Sequence, residues 1–339
     1  MKQKIAIIGF GTVGRGLCEI LLNKKKELRK TFNYEYEVIS ISDMKFGTVN
    51  NPKGLNLKRI LKDVESKGKF TKDIVGWSPT EMVKKTKANV ICELAFTNLQ
   101  DGQPAIKHCK TAFKNKKHVV TSNKGPAALA YRELSKLAGK NGVKLMIEGT
   151  VMSGTPVLNL ASGPLTGNKI TAAKGILNGT TNYILTKMEE GMSYENALAE
   201  AQKLGYAEVD PTGDVEGYDA RAKVTILANV LMGVKLKIDE VECEGITKIT
   251  VSDIKKAKEQ NMRWKLIGSV EKTERKTVAS VKPKMISLTD PLAGVMGSTN
   301  AVTFSTDLMG EVTIVGKGAG KTETGFAILS DLISIHKLK

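Results

Sequence analysis

Histidine and cysteine are scarce here: 339 residues include only 3 His and 4 Cys. Cys18, Cys92, Cys109 and Cys243 show no C-x-x-C spacing, and His108, His118 and His336 offer no H-x₃₋₅-H partner, so neither a disulfide framework nor a zinc site is expected. Cys–His and Ser–His catalysis is poorly supplied as well, since His108 and His118 fall in what reads as a polar helix and its exit, and His336 lies near the chain end. An enzyme built from this sequence would draw its acid or base from a lysine or a carboxylate. Long apolar runs are also missing. No stretch approaches the roughly 18 to 20 residues of a membrane span, and the opening run Ile5-Ala6-Ile7-Ile8 is too short for the core of a secretory signal. A cytoplasmic protein with no membrane partner is expected.

Hydrophobic residues make up 41% of the chain and charged residues 26%, values that set aside intrinsic disorder. The length exceeds what one core of about 250 to 300 residues accommodates, so two domains are expected. The net charge of +17 raises the question of nucleic acid. Residues 1–72 hold 16 Lys/Arg against 7 Asp/Glu, concentrated in 24–30 and 53–72. These segments read as solvated helix faces that attract anionic ligands. No zinc finger, aromatic RNP strand or repeat accompanies them, and no nucleic-acid partner is expected.

Residues 4–8 form a short continuous apolar run bounded by glycine, the pattern of a strand buried on both faces of a parallel sheet. Further strands read at 37–42, 90–94 and 118–121, with helical patterns at 12–22, 80–87, 103–115 and 127–141. That alternation predicts a doubly wound, Rossmann-type α/β domain over 1–150. Beyond it, strands rich in Ile, Thr and Val (170–178, 277–286, 301–305, 312–315) and helices at 193–204, 218–232 and 252–260 predict a second α+β domain over 151–310. Residues 311–339, apolar at helical spacing from Ala327 to Ile335, are expected to return to the first domain.

Gly9-Phe10-Gly11-Thr12-Val13-Gly14 fits G-x-G-x-x-G between a buried strand and a helix start, where backbone N–H groups can approach a pyrophosphate. Asp43 ends the second strand, where an acidic side chain suits the ribose hydroxyl of NAD. Lys45, two residues on, suits the extra phosphate of NADP. The pair leaves coenzyme choice open, with a lean to NADP from the surrounding positive charge. Lys124, in Thr121-Ser122-Asn123-Lys124, falls at the carboxyl edge of the sheet and is a candidate active-site cation or a surface lysine.

Five acids occupy the twelve positions from Glu208 to Asp219 in an otherwise basic chain, which suits a ligand bearing an ammonium group. Asp219 and Lys223 lie four apart at a helix start and share one face. Lys223 could give a proton to an alkoxide, with Asp219 orienting it. The plain alternative is a surface ion pair worth about 0.3–0.5 kcal/mol. Gly179-Thr180, in the turn Gly175 to Asn182, could bind a carboxylate with free N–H groups or serve only as a helix cap.

The run A-x₃-G-Φ-[STA]-x₂-D-P-x₂-D-Φ-x-G-x-D-x₃-K is met without a gap from Ala201 to Lys223. With Gly175 to Ile184, Thr121 to Lys124, Asp290-Pro291-Leu292-Ala293, Asn300-Ala301-Val302 and Gly318-Ala319-Gly320, the whole chain resembles the homoserine dehydrogenases. The resemblance implies NAD(P)-dependent interconversion of L-aspartate 4-semialdehyde and L-homoserine in threonine and methionine biosynthesis. It implies Lys223 as general acid/base, with Asp219, Asp214, Glu208 and the Gly179-Thr180 turn on the substrate. Lys124 would lie between cofactor and substrate, and Thr97, Gly205 and Gly320 would contact cofactor. It further implies a sodium-type cation at Glu148, Val151, Ser153 and Thr155, and a homodimer formed through the second domain.

Two departures stand out. The family commonly carries Thr-Pro just before Thr97-Asn98, where this chain has Ala95-Phe96, so a threonine side-chain contact to the nicotinamide is lost and only a backbone contact could survive. The chain ends soon after Lys337, so the C-terminal regulatory domain of longer relatives, and feedback inhibition by threonine through it, are not expected. Competing readings are a dehydrogenase of the same plan acting on another amino acid, and a non-catalytic dinucleotide sensor bound to nucleic acid.

Overall fold

A computed structural model describes residues 2–338; Met1 and Lys339, at the outer ends of the expected first domain and C-terminal segment, lie outside the described residues. The chain divides into two compact units, Met1–Gly154 with Gly320–Lys339, and Thr155–Ala319.

The first unit is built on a seven-stranded sheet: β1 (Gln3–Ile8), β2 (Tyr36–Asp43), β3 (Gly47–Asn50), β4 (Ile74–Val75), β5 (Val90–Glu93), β6 (His118–Thr121) and β7 (Leu145–Met146), in the order β4-β3-β2-β1-β5-β6-β7. The strands from β2 to β7 pair in parallel, while β3 and β4 add antiparallel at one edge. β1 shows why the apolar run reads as doubly buried: Ile5 and Ile7 enter one core with the helices Thr12–Asn23 and Leu57–Lys67, and Ala6 and Ile8 enter another with Ala105–Lys114 and Tyr131–Lys140. Order reverses at β1, so the loops after β1 and β5 flank the switch point where ligands of open α/β sheets bind.

The helix Lys321–Lys337 belongs to this unit, with Ile328, Leu329, Leu332 and Ile335 in the first core. It crosses Thr12–Asn23 closely because Gly16 faces it without a side chain; a Cβ there would sit 2.3 Å from the Lys321 carbonyl oxygen. Residues 311–319, expected with the C-terminal segment, instead stay in the second unit. The strand Gly310–Lys317 that they largely form is paired with the strand Thr299–Thr306 along its whole length.

The second unit carries a six-stranded sheet of β8 (Ile170–Ile176), β9 (Glu242–Cys243), β10 (Met262–Lys272), β11 (Thr277–Ser287), β12 (Thr299–Thr306) and β13 (Gly310–Lys317), in the order β13-β12-β8-β10-β11-β9 and antiparallel except for β9 with β11. The helices Gly179–Glu189 and Tyr218–Leu231 pack on this sheet. The sequence reading missed β10, a central strand, because Lys265 and Gly268 interrupt its apolar pattern. Lys265 is nevertheless 1% exposed.

Candidate active site

In the first unit, Gly9 takes φ +89° and would place a Cβ 2.5 Å from the Leu94 carbonyl oxygen, so the loop after β1 lies against the loop after β5. Phe10 N donates to Asp43 Oδ2 at 2.7 Å, while Asp43 Oδ1 accepts from Lys45 N at 2.8 Å and Phe46 N at 3.3 Å. Asp43 therefore ties the glycine loop to the end of β2. The Phe10 ring is wholly buried against Phe70, leaving only its backbone available to a ligand, and Val13 packs on the same core. A dinucleotide fits this cradle: the helix Thr12–Asn23 has no side-chain cap and no acid in its first turn, and a Cβ on Gly11 would meet nothing within 4 Å. The Lys45 side chain is exposed, with Nζ 5.7 Å from the Phe46 ring centre.

The neighbouring loop is braced from beneath. Glu93 Oε1 accepts from Ala95 N at 3.0 Å, and Asn123 Nδ2 donates to the carbonyls of Ala95 and Phe96, both at 3.1 Å. Lys124 N donates to Thr97 Oγ1 at 3.3 Å, which brings Thr97 and Lys124 together. His108, expected on a polar helix, is instead 3% exposed, with Nδ1 2.7 Å from Glu93 Oε2. Spacing had hidden this pair, because Glu93 ends a strand and His108 sits in the following helix. Phe96 stands 89% exposed on this fixed loop.

In the second unit, β8 ends in a turn that opens the helix Gly179–Glu189, with Asn178 as its cap. Lys223 projects from Tyr218–Leu231 and is 6% exposed. Its Nζ donates to Asp219 Oδ2 at 2.6 Å and to the Leu177 carbonyl at 2.7 Å. Asp214 and Asp219 are both bonded to Asn178 Nδ2, at 2.6 and 3.1 Å. Burial, followed by the charge of Asp219, raises the Asp214 carboxyl above its ordinary pKa, opposed by the Asn178 bond and Lys223. Thr180 Oγ1 donates to the Tyr206 carbonyl at 2.6 Å, tying the Gly179-Thr180 turn to the segment that carries Gly205 and the exposed Glu208. Asp214, Asp219, Lys223 and Thr180 thus gather in one place, and Asn178 is the participant that spacing gave no sign of.

Glu148, Val151 and Ser153 lie in the turn that ends the first stretch of unit one. Glu148 is 2% exposed, with its N donating to Asp331 Oδ2 at 3.0 Å, and Ser153 Oγ is 2.7 Å from Thr324 Oγ1. Thr155 begins the second unit and donates to the Lys317 carbonyl at 3.0 Å. Gly320 takes φ +138° before the helix Lys321–Lys337. No helix among the described residues is long and apolar enough to cross a membrane.

A parallel sheet with an uncapped glycine loop at its switch point, joined to a second sheet domain bearing a buried lysine–carboxylate pair, defines a two-domain NAD(P)-dependent oxidoreductase. Residues 9–148 match the homoserine dehydrogenase NAD-binding domain, and residues 156–333 the homoserine dehydrogenase family proper. An NAD(+)-dependent homoserine dehydrogenase of Pseudomonas canavaninivorans is 44% identical over 99% of this chain and 97% of its own length. A homoserine dehydrogenase of Methanocaldococcus jannaschii is 44% identical over 98% of each chain. A hyperthermophilic archaeal homoserine dehydrogenase solved in complex with NADPH superposes with a TM-score of 0.86 at 34% identity, covering 100% of this chain and 99% of that one. The chain belongs to the homoserine dehydrogenase family.

Proposed function

We propose that the chain interconverts L-aspartate 4-semialdehyde and L-homoserine, with Lys223 as the general acid/base. The nicotinamide cofactor, when bound, supplies or accepts the hydride. As the aldehyde carbon is reduced, Lys223 gives a proton to the carbonyl oxygen; in the reverse direction it takes that proton back. The observation that carries this reading is the clamp on its amine: Asp219 and the Leu177 carbonyl each take one N–H, which leaves the third for the substrate oxygen. The N–H groups opening the helix Gly179–Glu189 hold the α-carboxylate, with Gly179 and Thr180 nearest, and Glu208 and Asp214 face the ammonium.

On the cofactor side, Gly9, Phe10, Gly11, Thr12, Val13 and Gly14 hold the pyrophosphate, Asp43 and Lys45 the adenosine end, and Thr97 and Lys124 the nicotinamide end, with Gly205 and Gly320 as further contacts. NADP(H) is the preferred coenzyme: the Asp43 carboxylate already accepts from three backbone N–H groups, while Lys45 remains exposed to meet a phosphate. A sodium-type cation is held by the Glu148 carboxylate with oxygen atoms of Val151, Ser153 and Thr155, a donor set of hard oxygens. The enzyme works in the cytoplasm as a homodimer formed through its second unit, without nucleic acid; its positive charge attracts anionic cofactor and substrate.

The test is Lys223→Met assayed in both directions. Turnover should fall by about 10²–10⁴-fold while NADPH affinity stays within twofold. Near-normal turnover removes Lys223 from the chemistry, and homoserine left unoxidised by the unaltered chain removes the substrate assignment.

A further inference from the structure

Asn178 does more than start a helix. It is 4% exposed, and its Oδ1 accepts from Thr181 N at 2.9 Å, as an N-cap should. Capping uses only the oxygen. The nitrogen is directed elsewhere, to Asp214 Oδ1 at 2.6 Å and Asp219 Oδ2 at 3.1 Å, so both amide hydrogens are taken by carboxylates.

We propose that Asn178 is a positioning residue of the active site, whose amide holds Asp214 apart from Asp219 and thereby reserves Lys223 for Asp219 and the substrate. The inference rests on the Lys223 reading above. Two carboxylates face one ammonium here, and the charged side chains acting on Asp214 are Asp219 and Lys223, both from the facing helix, with the Asn178 amide as the neutral donor. Without the amide, a half-buried Asp214 has two ways to recover a partner. It can take up a proton, or it can turn to the Lys223 ammonium. The first alters the charge that orients Lys223; the second occupies the N–H meant for substrate. Asparagine suits the position because it accepts at the cap and donates twice. Serine or aspartate can still cap but cannot bridge two carboxylates.

The full-length variants Asn178→Ser and Asn178→Asp test this alongside Lys223→Met. Because both retain a capping oxygen, the melting temperature should fall little, and NADPH affinity should stay within twofold. The kcat for homoserine should fall by about 10- to 100-fold in Asn178→Ser, the loss expected for a hydrogen bond to a charged group, and further in Asn178→Asp. The acid limb of the kcat/KM profile should move to higher pH in Asn178→Ser, since a lost donor makes the carboxylates easier to protonate. Unchanged kcat and acid limb in Asn178→Ser would overturn the proposal. So would a large loss of stability with the acid limb unmoved, which marks a purely structural role. If Lys223→Met is inactive while Asn178→Ser is normal, only this inference fails; an active Lys223→Met removes the reading beneath it.

Discussion

Two neighbouring glycines in one loop should respond oppositely to the same methyl group. At Gly11 an added Cβ meets nothing within 4 Å and φ is −77°, outside the left-handed region, so Gly11→Ala should fold normally, with a melting temperature within about 2 °C of the parent. The open space is where a pyrophosphate would approach the uncapped helix. Pushing the phosphate away from those N–H groups should remove about one charge-assisted hydrogen bond, some 1.5–3 kcal/mol, or roughly 10- to 100-fold in affinity. At Gly9 the Cβ would overlap the Leu94 carbonyl at 2.5 Å, and φ is +89°. A left-handed alanine costs about 1–2 kcal/mol and the backbone overlap a further 1–3 kcal/mol, so Gly9→Ala should lose roughly 2–5 kcal/mol of stability before any cofactor is added. Chemical denaturation gives the stabilities, and fluorescence titration with NADPH gives the affinities. A Gly11→Ala protein that binds NADPH within twofold of the parent would refute the placement of the cofactor on this loop.

Other outcomes follow from separate groups. Lys265 is buried with Nζ on the Asn182 and Val295 oxygens, and burial pushes its pKa down to about 8. The unfolded chain therefore binds more protons than the folded one between about pH 8 and 10.5. Stability should rise with pH across that window, by at most about 1.4 kcal/mol per pH unit; in Lys265→Met the rise in urea midpoint should be flattened. Glu93→Ala leaves His108 and Ala95 N without their buried acceptor, so stability should drop by about 2–4 kcal/mol. A melting temperature unchanged in Glu93→Ala would show that the brace is dispensable. Lys45→Ala should lower kcat/KM for NADPH relative to NADH by about 5- to 20-fold, and an unaltered ratio would end its role in coenzyme choice.

Legibility varied with how local the cause was. β1 and the glycine loop were readable because a short apolar run closed by glycine has few other uses. The helix Tyr218–Leu231 was readable from its spacing. Central strand β10 was not. A lysine in mid-strand argues for an exposed face, and only the carbonyls that receive its ammonium make burial tolerable. The helices Lys25–Phe32 and Leu57–Lys67 were read as solvated helix faces, which suits Lys25–Phe32, where Leu28 alone is buried, but overlooks the core face of Leu57, Ile60 and Val64 on the other, hidden among its charges. His108 misled for a related reason: it looks polar in sequence, and its partner belongs to another element.

On the proposed reading of Lys223, the same division shows how a lysine would take the place of the missing histidine chemistry. Helical spacing alone brings Asp219 and Lys223 together, but on an open surface such a pair contributes about 0.3–0.5 kcal/mol and fixes little. Here the end of β8, 46 positions earlier, lays the Leu177 carbonyl across the amine, and Asn178 holds the opposing carboxylates. That contact turns a flexible ion pair into one with a set direction, and an acid/base group needs direction more than it needs strength. The i,i+4 motif is therefore necessary to the site, while the turn before Gly179 is what separates it from every other such pair in a lysine-rich chain.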